Sequence, residues 1–278
     1  MTLTLTLGYS PCPNDTFIFD ALVHRRIPLG DLHFRERLED VETLNALALA
    51  GTLDMTKISY HALGHLRREY ALLRAGGALG RGCGPLVVAR EAGDMASLRE
   101  RTIAIPGRLT TANLLLQLYG KGFERVAIMP FDRIMAAVAG GEVAAGVIIH
   151  ESRFTYPALG LHKILDLGQW WEETTGRPIP LGGILIKRSL GPALIREVDE
   201  ALRRSVEFAF AQPERSRSYI KEHAQELADT VVASHIGLYV NPFSLDLGEE
   251  GLAAVENLLA QAEARGLIPP CELPLFGY

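Results

Sequence analysis

The sequence is poor in the residues that mark several large classes of protein. Cysteine occurs three times in 278 residues, as Cys12, Cys83 and Cys271. The three are odd in number, far apart and without a C-x-x-C pair, which excludes a disulfide framework and a structural zinc site and fits a reducing cytosol. No basic run and no basic-aromatic stripe is present, and the net charge is -5, so nucleic acid is excluded as a partner. No apolar run reaches the ~18 residues that cross a bilayer, so no membrane span is expected. The opening "MTLTLTLGYS" lacks the basic and long apolar regions of a leader; its alternation of Thr and Leu reads as a strand, and a cytoplasmic protein is expected.

Several catalytic signatures are missing as well. There is no G-x-x-x-x-G-K-[ST], no H-E-x-x-H and no G-x-S-x-G, and no G-x-G-x-x-G follows a strand and opens a helix. A P-loop, a zincin centre, a nucleophile elbow and a dinucleotide site are thereby unsupported. A mild negative charge still permits an anionic small ligand, because local amides and hydroxyls override it.

What remains is a chain that is 48% hydrophobic and alternates strands with helices. "LTLTLGY", "LHFRERL", "LDMTKIS", "GPLVVAR", "RTIAIPG", "VAIMPF", "AAGVIIHE" and "GGILIKRSL" read as strands. Helices are expected at 16–26, 41–50 and 60–70, at "TTANLLLQLYG" and "DRIMAAVAGGE", and over most of the chain beyond 191, with a break at "NPF". Such alternation predicts an α/β fold with largely parallel sheets. "GPLVVAR" and "GGILIKR" resemble each other and bracket a block with its own strand-helix set. This suggests a larger discontinuous lobe at 1–88 and 187–278 and a smaller lobe at 89–186. The Gly-rich "GGALGRGCG" reads as a flexible connection.

In open α/β sheets, ligands bind beyond the carboxyl ends of strands. Four such junctions are rich in small polar residues. In "YSPCPNDTF", Pro11 and Pro13 stiffen the loop, Asn14, Asp15 or Thr16 can cap a helix, and Ser10 and Asn14 can face a ligand. Cys12 has no evident base beside it and is not expected to be a nucleophile. "TKISYHAL" offers Lys57, the backbone of Ile58, and Ser59, either as a plain helix cap or as a carboxylate site. "PGRLTTANL" is the best anion candidate, since hydroxyls and helix-start amides converge there. "GVIIHESRFTY" ends an apolar strand on His150, whose imidazole, with a reference pKa of about 6.5, exchanges protons near neutrality. By strand alternation Glu151 would point the other way. His61 and His65 lie one turn apart, which suits a metal or, more simply, a solvated helix face.

Taken together, "SPCPNDTFIFDALVH", "LEDVETLN", "TKISYHAL", "GGALGRGCGPLVVAR", "PGRLTTANLLL" and "GVIIHESRFTY" resemble the 1,4-dihydroxy-6-naphthoate synthases of the futalosine route to menaquinone. Each motif is weak alone; the six in matching order, over nearly the whole chain, are specific. The resemblance implies a two-lobed periplasmic-binding-protein-like fold with its active site between the lobes. It implies a lyase that converts cyclic dehypoxanthine futalosine to 1,4-dihydroxy-6-naphthoate, a small carboxylate, with neither an organic cofactor nor a metal. It places the proton acceptor at His150 and substrate contacts at Lys57, Ile58, Ser59, Thr111 and Ala112. Asn14, Asn45, Tyr156 and Tyr239 are further candidates for the cleft wall. The competing readings are a solute-binding protein of the same shape and the sister chorismate dehydratase.

Overall fold

A computed structural model describes residues 2–224 and 228–278 of the chain. The strands are β1 (Leu3–Tyr9), β2 (Leu32–Leu38), β3 (Met55–Ser59), β4 (Tyr70–Leu72), β5 (Ala78–Gly80), β6 (Leu86–Ala89), β7 (Ile103–Ile105), β8 (Val126–Ile128), β9 (Ala145–Ile148), β10 (His162–Asp166) and β11 (Ile179–Lys187). The helices are α1 (Pro13–Val23), α2 (Val41–Leu49), α3 (Tyr60–Leu66), α4 (Thr111–Tyr119), α5 (Phe131–Gly140), α6 (Ser152–Thr155) and α7 (Leu167–Thr175). They continue with α8 (Pro192–Ala211), α9 (Arg217–His223), α10 (Asp229–Tyr239), α11 (Pro242–Leu245) and α12 (Gly248–Ala264).

Among the described residues these strands build two sheets, ordered β2-β1-β3-β11-β4, with β5 also on β11, and β10-β6-β9-β7-β8. The expected parallel pairing holds for β1 with β2 and β3, and for β7 with β8 and β9. It gives way at β11 and β6, which run antiparallel to their neighbours. These are the strands by which the chain enters a sheet from the other one, so no crossover helix sets their direction. By sheet membership the crossings lie before Leu86 and before Ile179, ahead of the expected 88–89 and 186–187. Apolar strands buried on both faces look alike in whichever sheet they sit.

Local chemistry accounts for several shifted boundaries. Helix α1 starts at Pro13 rather than 16, with Cys12 at the N-cap. Proline at the first helical position has its φ already set and lacks an amide that would go unpaired. Asn14, Asp15 and Thr16 therefore lie inside the helix, where all three are buried, and none of them caps it. The glycine-rich segment expected to be flexible instead carries β5, paired to β11 and buried. Strand β4, with three residues, is too short to show a period of two, and β10, HKILD, does not alternate apolar with polar, so neither is expected from the sequence pattern.

Helix α1 packs with α8 over one face of the first sheet, burying Phe17, Phe19, Leu22, Val198 and Leu202. A second apolar cluster is continuous between the sheets, from Ile58 and Leu185 to Leu115, Val87 and Trp171. At the crossing, Gly84 meets Gly168 backbone to backbone: a Cβ on Gly84 would stand 2.3 Å from the Gly168 Cα. We expect Gly84→Ala to destabilise the protein by about 1–3 kcal/mol, since only main chain could give way. Urea unfolding measures this, and a midpoint equal to that of the unaltered protein would contradict the contact.

Candidate active site

The carboxyl ends of β1, β3, β7 and β9 face one another across the two sheets. The four sequence junctions therefore meet in a single cleft, to which they contribute Ser10, Ser59, Thr110 and His150. The cleft also takes in Asn14, Lys57, Ile58, Thr111, Ala112 and Tyr239. Much of its wall is apolar, from Val41, Ala78, Pro85, Ile149 and Leu181. Apolar walls with a few convergent polar groups suit a flat, partly anionic small molecule.

The floor is a buried ion pair. Lys57 on β3 donates from Nζ to Asp15 Oδ1 at 2.8 Å, and both side chains are buried. The Asp15 carboxylate also accepts from Asn14 Nδ2 at 2.8 Å, and its Oδ2 accepts from Ser10 Oγ at 2.7 Å and Ser10 N at 3.2 Å. Lys57 is thus within reach of a ligand but already carries a counter-ion. Asp15 was legible only as a helix cap. The available signal was Lys57 itself, because a lysine on a fully buried strand needs an anion nearby.

The second and third junctions are tied to each other. Thr111 Oγ1 accepts from Tyr60 N at 3.0 Å and donates to the Leu181 carbonyl at 2.6 Å. A hydroxyl has one proton, so Thr111 has none left for a carboxylate while that bond holds. Thr110 is the N-cap of α4, accepting from Asn113 N, and the first helical bond runs from Leu114 N to Thr110 O. Helix geometry leaves the amides of Thr111 and Ala112 for a partner beyond the helix end. Ser59 stands at the N-cap position of α3 without capping it; Asn45 Nδ2 donates to its Oγ at 3.4 Å, and Asn45 Oδ1 accepts from Ser59 N at 3.0 Å. Asn45 therefore braces Ser59 from behind. From α2, Glu42 Oε1 accepts from Leu109 N at 3.3 Å, and its carboxyl lies where a Cβ on Gly107 would be, 2.3 Å away. That contact bridges the two sheets across the mouth of the cleft.

His150 differs from a strand end in one respect. Strand β9 stops at Ile148, and His150 takes a positive φ of 56°. The left-handed turn breaks the alternation, so the rule that would turn Glu151 away does not apply. Both side chains reach one cluster instead: the His150 ring lies 6.1 Å from the His235 ring at 14°, and Glu151 Oε2 is 3.9 Å from His235 Nδ1. Phe131 sets an edge against His150 at 4.9 Å. Burial lowers the pKa of His150, opposed by Glu151 and then Asp15. The neutral imidazole is thereby favoured, and that is the form that accepts a proton.

Cys12 does acquire a neighbouring base: its Sγ is 3.8 Å from His150 Nδ1. Burial, reinforced by Glu151, pushes its thiol far up, which disfavours the thiolate despite the neighbouring ring. His235, on α10, gave no local signal, being one of several polar residues in a helix without a marked apolar face. Tyr156 lies away from the cleft, against the core of the second sheet. His61 is buried rather than solvated, because α3 packs against α4 and α12; burial, then His65, lowers its pKa to about 4. Among the described residues no group of three or more His, Cys, Asp or Glu side chains could hold a metal ion.

The ion pair makes a sharp prediction. Asp15→Asn leaves a buried ammonium without its anion and should cost about 3–5 kcal/mol, whereas the double change with Lys57→Met should recover most of that loss. Thermal unfolding of the two single variants and the double variant tests it; additive losses would show that the two residues do not act as a pair.

Residues 5–264 match the family model described as menaquinone biosynthesis. The chain is 58% identical over 272 residues to the 1,4-dihydroxy-6-naphtoate synthase of Thermus thermophilus, covering 98% of each chain. It is 51% identical over 271 residues to the protein of the same name from Streptomyces coelicolor, covering 96% of this chain and 95% of the other. A crystal structure of a protein from Archaeoglobus fulgidus superposes with a TM-score of 0.89 at 38% identity, over 95% of this chain and 98% of that one. The periplasmic aliphatic sulphonate binding protein of Escherichia coli superposes at 0.65 with 17% identity, over 96% and 89%, which shows the expected periplasmic-binding-protein-like fold. Matched along nearly all of its length, the chain belongs to the menaquinone biosynthesis family.

Proposed function

We propose that this protein is a carbon-carbon lyase that converts cyclic dehypoxanthine futalosine to 1,4-dihydroxy-6-naphthoate, with His150 as proton acceptor. The observation that carries the reading is the half-buried imidazole of His150, facing an apolar cleft from a left-handed turn, with its pKa lowered by desolvation toward the neutral form. The names of the Thermus and Streptomyces relatives support the product. They also favour this reading over the sister dehydratase. A passive solute-binding protein shares the frame but has no use for a base at the cleft wall.

In this reading the carboxylate of the substrate lies at the start of α4, where the amides of Thr111 and Ala112 point, with the Ser59 hydroxyl alongside. Lys57, held by Asp15, contributes a positive field without being spent on the ligand. The ring lies against the apolar wall. His150 takes a hydroxyl proton from the sugar-derived part; the O–H electron pair becomes a carbonyl bond, and the neighbouring C–C bond breaks. Its electrons pass to the ring carbon, and aromatisation of the naphthoate drives the step. Closing the sheets over the substrate excludes water and aligns the base.

Incubating the purified protein with cyclic dehypoxanthine futalosine and following naphthoate absorbance tests the activity. His150→Ala should fold normally and lose about 10²–10⁴-fold in kcat, the range of a general base. A folded His150→Ala protein with full turnover would remove His150 from that role. The pH dependence follows from the sign of the shift. A base must be unprotonated, and burial lowers the pKa of His150, so the acidic limb of kcat/KM should fall below the ordinary imidazole value of about 6.5. A limb above that value would contradict the assignment.

A further inference from the structure

The hydrogen-bond chain behind His150 fixes where protons sit. Asp15 Oδ1 accepts from both Lys57 Nζ and Asn14 Nδ2. An ionised carboxylate only accepts, so the Asn14 amide turns its NH₂ to Asp15 and its carbonyl to His235. That carbonyl, 2.8 Å from His235 Nε2, also only accepts, so Nε2 carries a hydrogen. A neutral His235 then presents a lone pair at Nδ1. Facing it is Glu151 Oε2 at 3.9 Å. Both atoms are buried, and neither has a hydrogen-bond partner. Two acceptors left facing each other out of water each go unsatisfied, which is unfavourable. A single proton satisfies both, and an approach of about 1 Å brings them to bonding length.

We propose that Glu151 and His235 share one proton between Oε2 and Nδ1, and that this proton leaves His150 uncharged and ready to accept another. This rests on the reading of His150 as the base. Around His150 stand the Asp15–Lys57 pair from α1 and β3, Asp40 before α2, the Cys12 thiol, and His235 from α10. Of these groups and its own neighbour Glu151, the ionised Glu151 carboxylate would do most to raise the pKa of His150. A shared proton cancels that effect, and burial then prevails. Burial followed by His150 pushes His235 down to about 3, so its ring holds a second proton poorly.

When His150 takes the substrate proton, the Glu151 O–H bond breaks and its electron pair stays on oxygen. The proton leaves through a second cavity, which touches His150, Glu151, Asp40 and Cys12 and lies beside the main cleft. Glu151 is then an anion next to an imidazolium, and the charge of the cluster is unchanged. Glu151 and His235 act through His150 and are positioning residues.

The test uses the full chain, reading the His150 imidazole by NMR titration without substrate and turnover separately. Glu151→Gln carries no charge, like the protonated pair, so His150 should titrate within about 0.3 unit of the unaltered protein. Its kcat should fall tenfold or more at unchanged KM, because the imidazolium loses its counter-charge. His235→Gln keeps a donor for Asn14 but holds no proton for Glu151, so the carboxylate ionises and His150 should titrate about one unit higher. A clear downward shift in Glu151→Gln would mean that the carboxylate was already charged, and would overturn the proposal. An unmoved His150 in His235→Gln would overturn it too; if that variant does not fold, Glu151→Gln alone decides. The titrations need no turnover, so a failure of His150→Ala to lose activity would strike the base assignment and leave the shared proton standing.

Discussion

The site is organised around the buried ion pair of Lys57 and Asp15. A lysine in the middle of a buried strand costs several kcal/mol unless an anion meets it at close range. Asp15 meets it from the first turn of α1, and Pro13 starts that helix early enough to bring the carboxylate inward. Once Asp15 is held as an anion, the orientation of Asn14 is decided, and through Asn14 the hydrogen on His235. The charge that stabilises the first sheet thus reaches, in three hydrogen-bonded steps, the histidine stacked beside His150. Structure and proton placement here are one network.

A second constraint concerns the relation between the sheets. Thr111, on a helix of the second sheet, is bonded to Tyr60, which follows β3, and to Leu181, within β11, both strands of the first sheet. Glu42 reaches across to the turn at 107–109. These few polar contacts, over an apolar cluster continuous between the sheets, close the cleft without filling it. The frame is shared with sulphonate-binding proteins, but a frame does not assign chemistry. In this chain the left-handed turn at His150 aims an imidazole at the cleft.

Much of this was legible before the fold was known. The strand-helix alternation, the four polar junctions after strands, and the choice of His150 over seven other histidines rested on local pattern and on motifs read together. The cleft does collect those four junctions. What was misread has physical causes. The glycines at 76–84 looked like a flexible connection, yet they include a strand paired to β11, because glycine also permits the close backbone approach seen at Gly84 and Gly168. Glu151 was set aside by strand alternation, a rule that lapses where φ turns positive.

The sequence by itself determined which residues could do chemistry and that they follow strands, because hydrophobic period and helix starts are properties of neighbours along the chain. It could not determine the partners of those residues. Asp15 lies 42 positions from Lys57, and Asn14 lies 221 positions from His235. Such pairings follow from which strands and helices pack together, and packing decides burial, hydrogen-bond direction and charge state. The imidazole proposed as the base was legible in the chain; the environment that favours its neutral form was decided by the tertiary structure.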